Sequence, residues 1–118
     1  MAMYERSLAG SIDTFRPYFH DGIMGSISAT AEGGTNLVLG DVRTAFRVYE
    51  RYSAFGGNRV SMALSVAEQR GVLHVCVITS GGTQASFFKI LPIGEETWLD
   101  RAVQVIDGYA NAGAARPE

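Results

Sequence analysis

Four side chains suited to holding a ligand, Glu50, Tyr52, Thr79 and Gln84, fall at one end of neighbouring strands when the chain is paired as its turns suggest. In that pairing Glu50 lies on an apolar face, level with Leu64, Val77 and Ser86. A carboxylate there is costly unless it finds partners or its pKa rises. Glu50 therefore reads as the anchor of a polar pocket between sheet and helix. The plainer reading is an edge glutamate that reaches water or pairs with an arginine. Arg47 and Arg51 project from the same strand and suit a bidentate anion site. A solvated basic stripe is the alternative. Cys76 and His74 share a strand face, the spacing of a Cys–His pair, but no third residue orients them. Apolar neighbours suit Cys76 as an inert core thiol. No catalytic set is assigned.

Ser80-Gly81-Gly82-Thr83 offers backbone amides of the kind that cradle phosphate. It lacks the lysine and following helix of a P-loop, so it reads as a hairpin turn. With two histidines, His20 and His74, and one cysteine, no metal site and no cofactor are expected.

The elements that must position these residues are punctuated by Gly33-Gly34, Gly56-Gly57 and Gly81-Gly82, each read as a hairpin turn. Ile12, Phe15 and Phe19 have helical spacing behind a potential Ser11 cap, and predict a short helix ending before Gly22, with Pro17 inside it. Ile23 to Ala31 reads as a strand and Leu37 to Val42 as a short second one. Thr44 to Ser53 fits a strand or a helix, and the turn that follows favours the strand. Val60, Met62, Leu64 and Val66 alternate with Ser61, Ala63, Ser65 and Ala67, a period of two. Leu73 to Thr79 and Gln84 to Leu91 are the next strands. After Pro92, the residues Leu99, Ala102, Val103, Ile106 and Tyr109 line one helical face, with acids in the first turns.

Register follows from consistency, because a slip of one residue inverts every side chain. A three-residue Gly56-Gly57-Asn58 loop sets Tyr52 opposite Met62 and Val48 opposite Val66. An Arg70-Gly71 turn sets Val66 opposite Val75 and Leu64 opposite Val77. A Gly81-Gly82 turn sets Val75 opposite Phe88. These choices put Phe46, Val48 and Glu50 on the core face. A two-residue Gly56-Gly57 turn would set Arg47 and Arg51 against Val66 and Met62, and is rejected for that reason. On the opposite face Tyr49, Cys76, Ile78 and Phe87 form a patch that needs a cover, and a subunit interface or a covering helix is expected there.

At 118 residues the chain is read as one domain over residues 1–112 with a disordered tail over 113–118. Its net charge of −2 and pI near 5.6 argue against a nucleic-acid partner. No apolar run reaches the ~18 residues of a membrane span. The first residues lack the apolar core of a signal peptide. A single cysteine fits a reducing cytoplasm.

The runs Arg47-Val48-Tyr49-Glu50-Arg51-Tyr52-Ser53 and Gly56-Gly57-Asn58-Arg59-Val60-Ser61 carry a resemblance, as do Ile78 to Ala85, Phe87 to Ile90, and Gly94-Glu95-Glu96. Together they resemble a family of small bacterial single-domain proteins known as a domain of unknown function. The resemblance covers roughly residues 23 to 100 and implies no activity. The fold expected is α+β: a single antiparallel sheet of five or six strands with N- and C-terminal helices packed on one face. The functions expected are, first, a non-enzymatic binding or assembly module acting as a homodimer. The second is a small-molecule binder with a pocket between sheet and helix. An enzyme using Glu50 or the Cys76–His74 pair comes last.

Overall fold

A computed structural model of the chain describes residues 2–26, 28–52, 59–81 and 95–115. Seven elements follow in order: β1 (Ala2–Ala9), α1 (Ile12–Met24), β2 (Thr30–Leu39), β3 (Val42–Tyr52), β4 (Arg59–Gln69), β5 (Val72–Gly81) and α2 (Glu95–Ala115). The strands form one antiparallel sheet in the order β1-β5-β4-β3-β2. Both helices lie on one face of it, so the architecture is α+β.

α1 starts where the sequence places it. Ser11 has an extended backbone and its Oγ accepts from the Asp13 amide at 3.2 Å. Ile12, Phe15, Phe19 and Ile23 form its buried stripe. The helix runs through Gly22 to Met24 instead of ending before Gly22. Gly22 is a contact point: a Cβ there would stand 2.7 Å from Cγ2 of Val105 on α2. Arg101 of α2 donates to the Gly22 carbonyl from Nε and Nη2, at 3.1 and 3.0 Å, satisfying a carbonyl in the last turn. The stretch expected as a strand over Ile23 to Ala31 instead holds the end of α1, a turn and the first residues of β2.

β1 falls in a stretch where the sequence predicts no strand. It pairs with β5, from Ala2 opposite Thr79 to Ala9 opposite Val72. That edge of β5 is the one expected to pair with residues 84–91, which, with Gln84 and Phe87, lie outside the described residues. Tyr4, Arg6 and Leu8 of β1 face the helices, yet of these only Leu8 is both aliphatic and buried, so no apolar alternation marks the strand.

Gly33-Gly34 is a second correction. The pair lies inside β2, not at a turn, and the reversal falls at Gly40-Asp41, where Gly40 has φ +61°. A Cβ on Gly34 would lie only 2.3 Å from the Phe46 carbonyl oxygen, so the strand pairing itself requires glycine. A bulge separates Ala31 from Gly33.

The third correction is the parity of β3. Tyr49 pairs with Met62 and Ala45 with Val66, and Tyr52 pairs with Arg59, leaving six residues between the strand ends. Ala45, Arg47, Tyr49 and Arg51 therefore face the helices, and Phe46, Val48, Glu50 and Tyr52 face away. Two aromatic contacts explain the choice. Tyr49 is 1% exposed against Phe19, and the Arg51 guanidinium stacks on the Trp98 ring at 5.4 Å. The β4–β5 register is as expected, with Val66 opposite Val75 and Leu64 opposite Val77. Arg70 and Gly71 form its turn, at φ +54° and +79°.

The core lies between sheet and helices. Val60, Met62, Leu64, Val66, Leu73, Val75 and Val77 meet Phe15, Phe19, Trp98, Ala102 and Ile106. On α2 the buried stripe includes Trp98 and Val105, and Val103 is only half-buried. α2 extends to Ala115, three residues into the stretch expected as tail.

Candidate functional site

The sheet face turned away from the helices is crossed by no other element among the described residues. Its centre is a continuous row across all five strands: Gly33, Val48, Ala63, Ile78 and Met3, each paired with the next. The adjoining row carries Thr35, Phe46, Ser65, Cys76 and Glu5. Met3 is 59% exposed and Phe46 43%. Leu37, Leu39, Tyr52 and Val72 add exposed apolar area on the same side. In the middle of β4 the residues on this face are Ser61, Ala63, Ser65 and Ala67, with Arg59 and Gln69 at its ends, a shallow trough between the larger side chains of β3 and β5.

Polar groups sit around this centre and are already paired. Glu50 forms an ion pair with Arg59 and accepts from Ser61 Oγ at 3.2 Å. The Arg59 guanidinium also lies over the Tyr52 ring at 5.5 Å. His74 meets Ser7 Oγ through Nδ1 at 2.9 Å and Glu5 through Nε2 at 2.6 Å. Both ring nitrogens of His74 are thereby engaged, and neither is engaged by Cys76. Burial, and then the charge of Glu5, push the Cys76 thiol up. Among the described residues no group of acids, histidines and cysteine has the arrangement of a metal site.

The residues singled out from sequence are thus distributed over two faces. Glu50 and Tyr52 lie on the helix-free face, and Thr79 is fully buried on the helix side. The expected pocket of Glu50, Tyr52 and Thr79 is split by the sheet, because β3 has the opposite parity. Cys76 and Ile78 share the helix-free face, while Tyr49 is under α1. Arg47 and Arg51 share the helix side but diverge. Arg47 donates from Nη1 to the carbonyls of Thr35 and Phe46, at 3.1 and 2.8 Å. Arg51 turns to Trp98, and burial lowers its pKa. Phe46, Val48 and Met3 were missed as surface residues. The signal available is the second apolar stripe of β3, which alternation alone assigns to the core.

The fold defines a small α+β protein with a two-helix layer on one side of a five-stranded antiparallel sheet. The model of a family described as "Family of unknown function (DUF6054)" matches residues 1–110, and the chain belongs to that family. No curated protein matches it. No helix among the described residues is long and apolar enough to cross a membrane.

Proposed function

We propose that the chain is a non-catalytic assembly module that pairs with a second copy of itself through the helix-free sheet face. The observation that carries this reading is the apolar row from Val48 to Met3, with Phe46 beside it, on a face whose polar groups are paired around it. An apolar centre with a polar rim is the usual anatomy of a protein interface. Exposed apolar area on this scale marks an interaction surface. Five strands at ~4.8 Å spacing, about ten residues long at ~3.3 Å per residue, present about 800 Å². A stable interface buries about 800 Å² per partner, so two such faces match in size. Two sheets stack ~10 Å apart, and the small residues of β4 leave room for the partner's Phe46 and Ile78. Glu5 and Glu50 on this face disfavour a nucleic-acid partner. A reducing bacterial cytoplasm suits the module, given the single free thiol of Cys76.

Light scattering across a dilution series tests the reading. The wild-type chain should be a dimer that dissociates on dilution. Phe46→Lys and Val48→Asp, both on the helix-free face, should be monomers with an unchanged circular dichroism spectrum. A wild-type monomer at every concentration overturns the proposal.

A further inference from the structure

On the helix side of the sheet, a groove runs between α1 and the β2–β3 edge. Two adjoining cavities of about 480 and 400 Å³ share His20, Arg47 and Tyr49 in their lining. We propose that this groove binds the carboxylate or phosphoryl group of a small molecule, on the Nε–Nη2 edge of Arg47 and on Nε2 of His20. Both anchoring side chains lie on the helix side, although the larger cavity reaches Gly33, Thr35 and Val48 at the sheet edge, and binding there does not depend on assembly through the helix-free face.

Three features support the assignment. The first is the unused half of a guanidinium. Arg47 spends only Nη1, on the carbonyls of Thr35 and Phe46, which fixes the plane of the group. Nε and Nη2 have no partner among the described residues. They form the side of the fork that meets two oxygens of an oxyanion at once. Gly34 makes this possible: a Cβ there would stand 2.6 Å from Cδ of Arg47 and displace it from its place along β2.

The second is an oriented imidazole. His20 is exposed at the groove, and its Nδ1 lies 3.1 Å from the Tyr49 hydroxyl. Tyr49 is 1% exposed, and burial pushes its pKa up against the smaller opposing effect of Arg47. A neutral phenol that donates to Nδ1 leaves the ring proton on Nε2, which then faces the groove as a donor.

The third is the neighbouring charge. Arg16 adds a cation to the lining, and Asp13, Asp21 and Glu32 add acids. Asp13 is occupied by Arg43 and Arg16. The remaining acids disfavour a polyanion such as a nucleic acid. A compact ligand with one oxyanion group fits this balance. The bulge between Ala31 and Gly33 lies on the same wall, the position where sheets commonly re-aim residues at a site.

The test is an amide and arginine-Nε NMR titration of the full chain with inorganic phosphate, and separately with succinate. Saturable shifts confined to Arg47, His20, Tyr49 and the Gly33-Gly34 amides are expected with at least one of the two. The probe that saturates at lower concentration names the ligand class. Arg47→Lys keeps the charge and loses the fork, and should weaken binding at least about tenfold, the scale of a bidentate contact. His20→Gln should weaken it less. Each variant's spectrum shows directly whether it is folded. Binding unchanged in Arg47→Lys, shifts scattered over the surface, or no saturable shift with either probe would each overturn the assignment.

Discussion

Replacing Arg51 by methionine should make the protein more stable. The guanidinium sits half-buried on β3 beneath α2, stacked on Trp98, and its Nε is buried without an acceptor among the described residues. Trp98 Nε1 is likewise buried without one among the described residues. Two opposing effects decide the sign. Cation–π stacking contributes about 0.5–1 kcal/mol when partly exposed, and more when desolvated. A buried donor left unpaired costs about 1–3 kcal/mol. Methionine removes the desolvated N–H, keeps a long apolar stem over the indole, and regains about 0.3–1.5 kcal/mol in a sulfur–aromatic contact. The net expectation is a gain of about 1 kcal/mol. Arg51→Ala should lose about 1 kcal/mol, because it removes the stack along with the unpaired group. Trp98 is the only tryptophan in the chain, so its fluorescence reports unfolding in urea at fixed protein concentration. With a slope of about 1–1.5 kcal/mol/M, the Arg51→Met midpoint should rise by about 0.7–1 M. A midpoint lower than wild type by as much would show that the stacked charge outweighs its desolvation, and the reasoning would be wrong.

Three further outcomes follow from particular contacts. Gly22→Ala should destabilise by about 1–3 kcal/mol in the same urea assay, since its Cβ would overlap Val105 and push the helices apart. Asp13 is held below the ordinary carboxylate range by its hydrogen bonds from Arg43. A depressed pKa contributes stability above the unfolded value of about 3.9, lost as pH falls through the lower folded value. Asp13→Asn should therefore flatten the acid limb of the stability curve below about pH 4, and an unaltered limb would contradict the pairing. Cys76, with its thiol pushed up, should alkylate with iodoacetamide at neutral pH more slowly than an unstructured cysteine peptide. An equal or faster rate would return it to consideration as a nucleophile.

Where local chemistry is strong, the sequence was legible. Ser11 marks the start of α1 because its hydroxyl meets an amide two residues on, and Ile12, Phe15 and Phe19 mark its buried stripe. The β4–β5 hairpin was readable because Arg70-Gly71 adopts the positive φ that such a turn needs, between two strands with clear alternation. The family resemblance was also carried by residues of the chain itself, and the matched family spans residues 1–110.

The candidate sites were less legible, for one physical reason. β3 has two faces of comparable apolar content: Phe46 and Val48 on one, Ala45 and Tyr49 on the other. Alternation alone cannot choose between them. Binary patterning favoured the face without arginines, but long side chains invert that preference when an aromatic receives them. Arg51 is accepted by Trp98, and Tyr49 by Phe19 and His20, from helices far away in sequence. That choice turned Glu50 outward, left Phe46 exposed and Val48 half-buried on the helix-free face, and brought Arg47 to His20 beside α1. β1 was decided in the same way, since its pairing with β5 joins residues about seventy positions apart and leaves little local pattern. The sequence by itself determined the composition of the layers, the cap and stripe of α1 and the β4–β5 pairing, because each depends on neighbours within a few residues. Only the tertiary structure decided which side of β3 faces the helices, and with it which residues form a surface and which a groove, because strand parity is settled by contacts between distant elements.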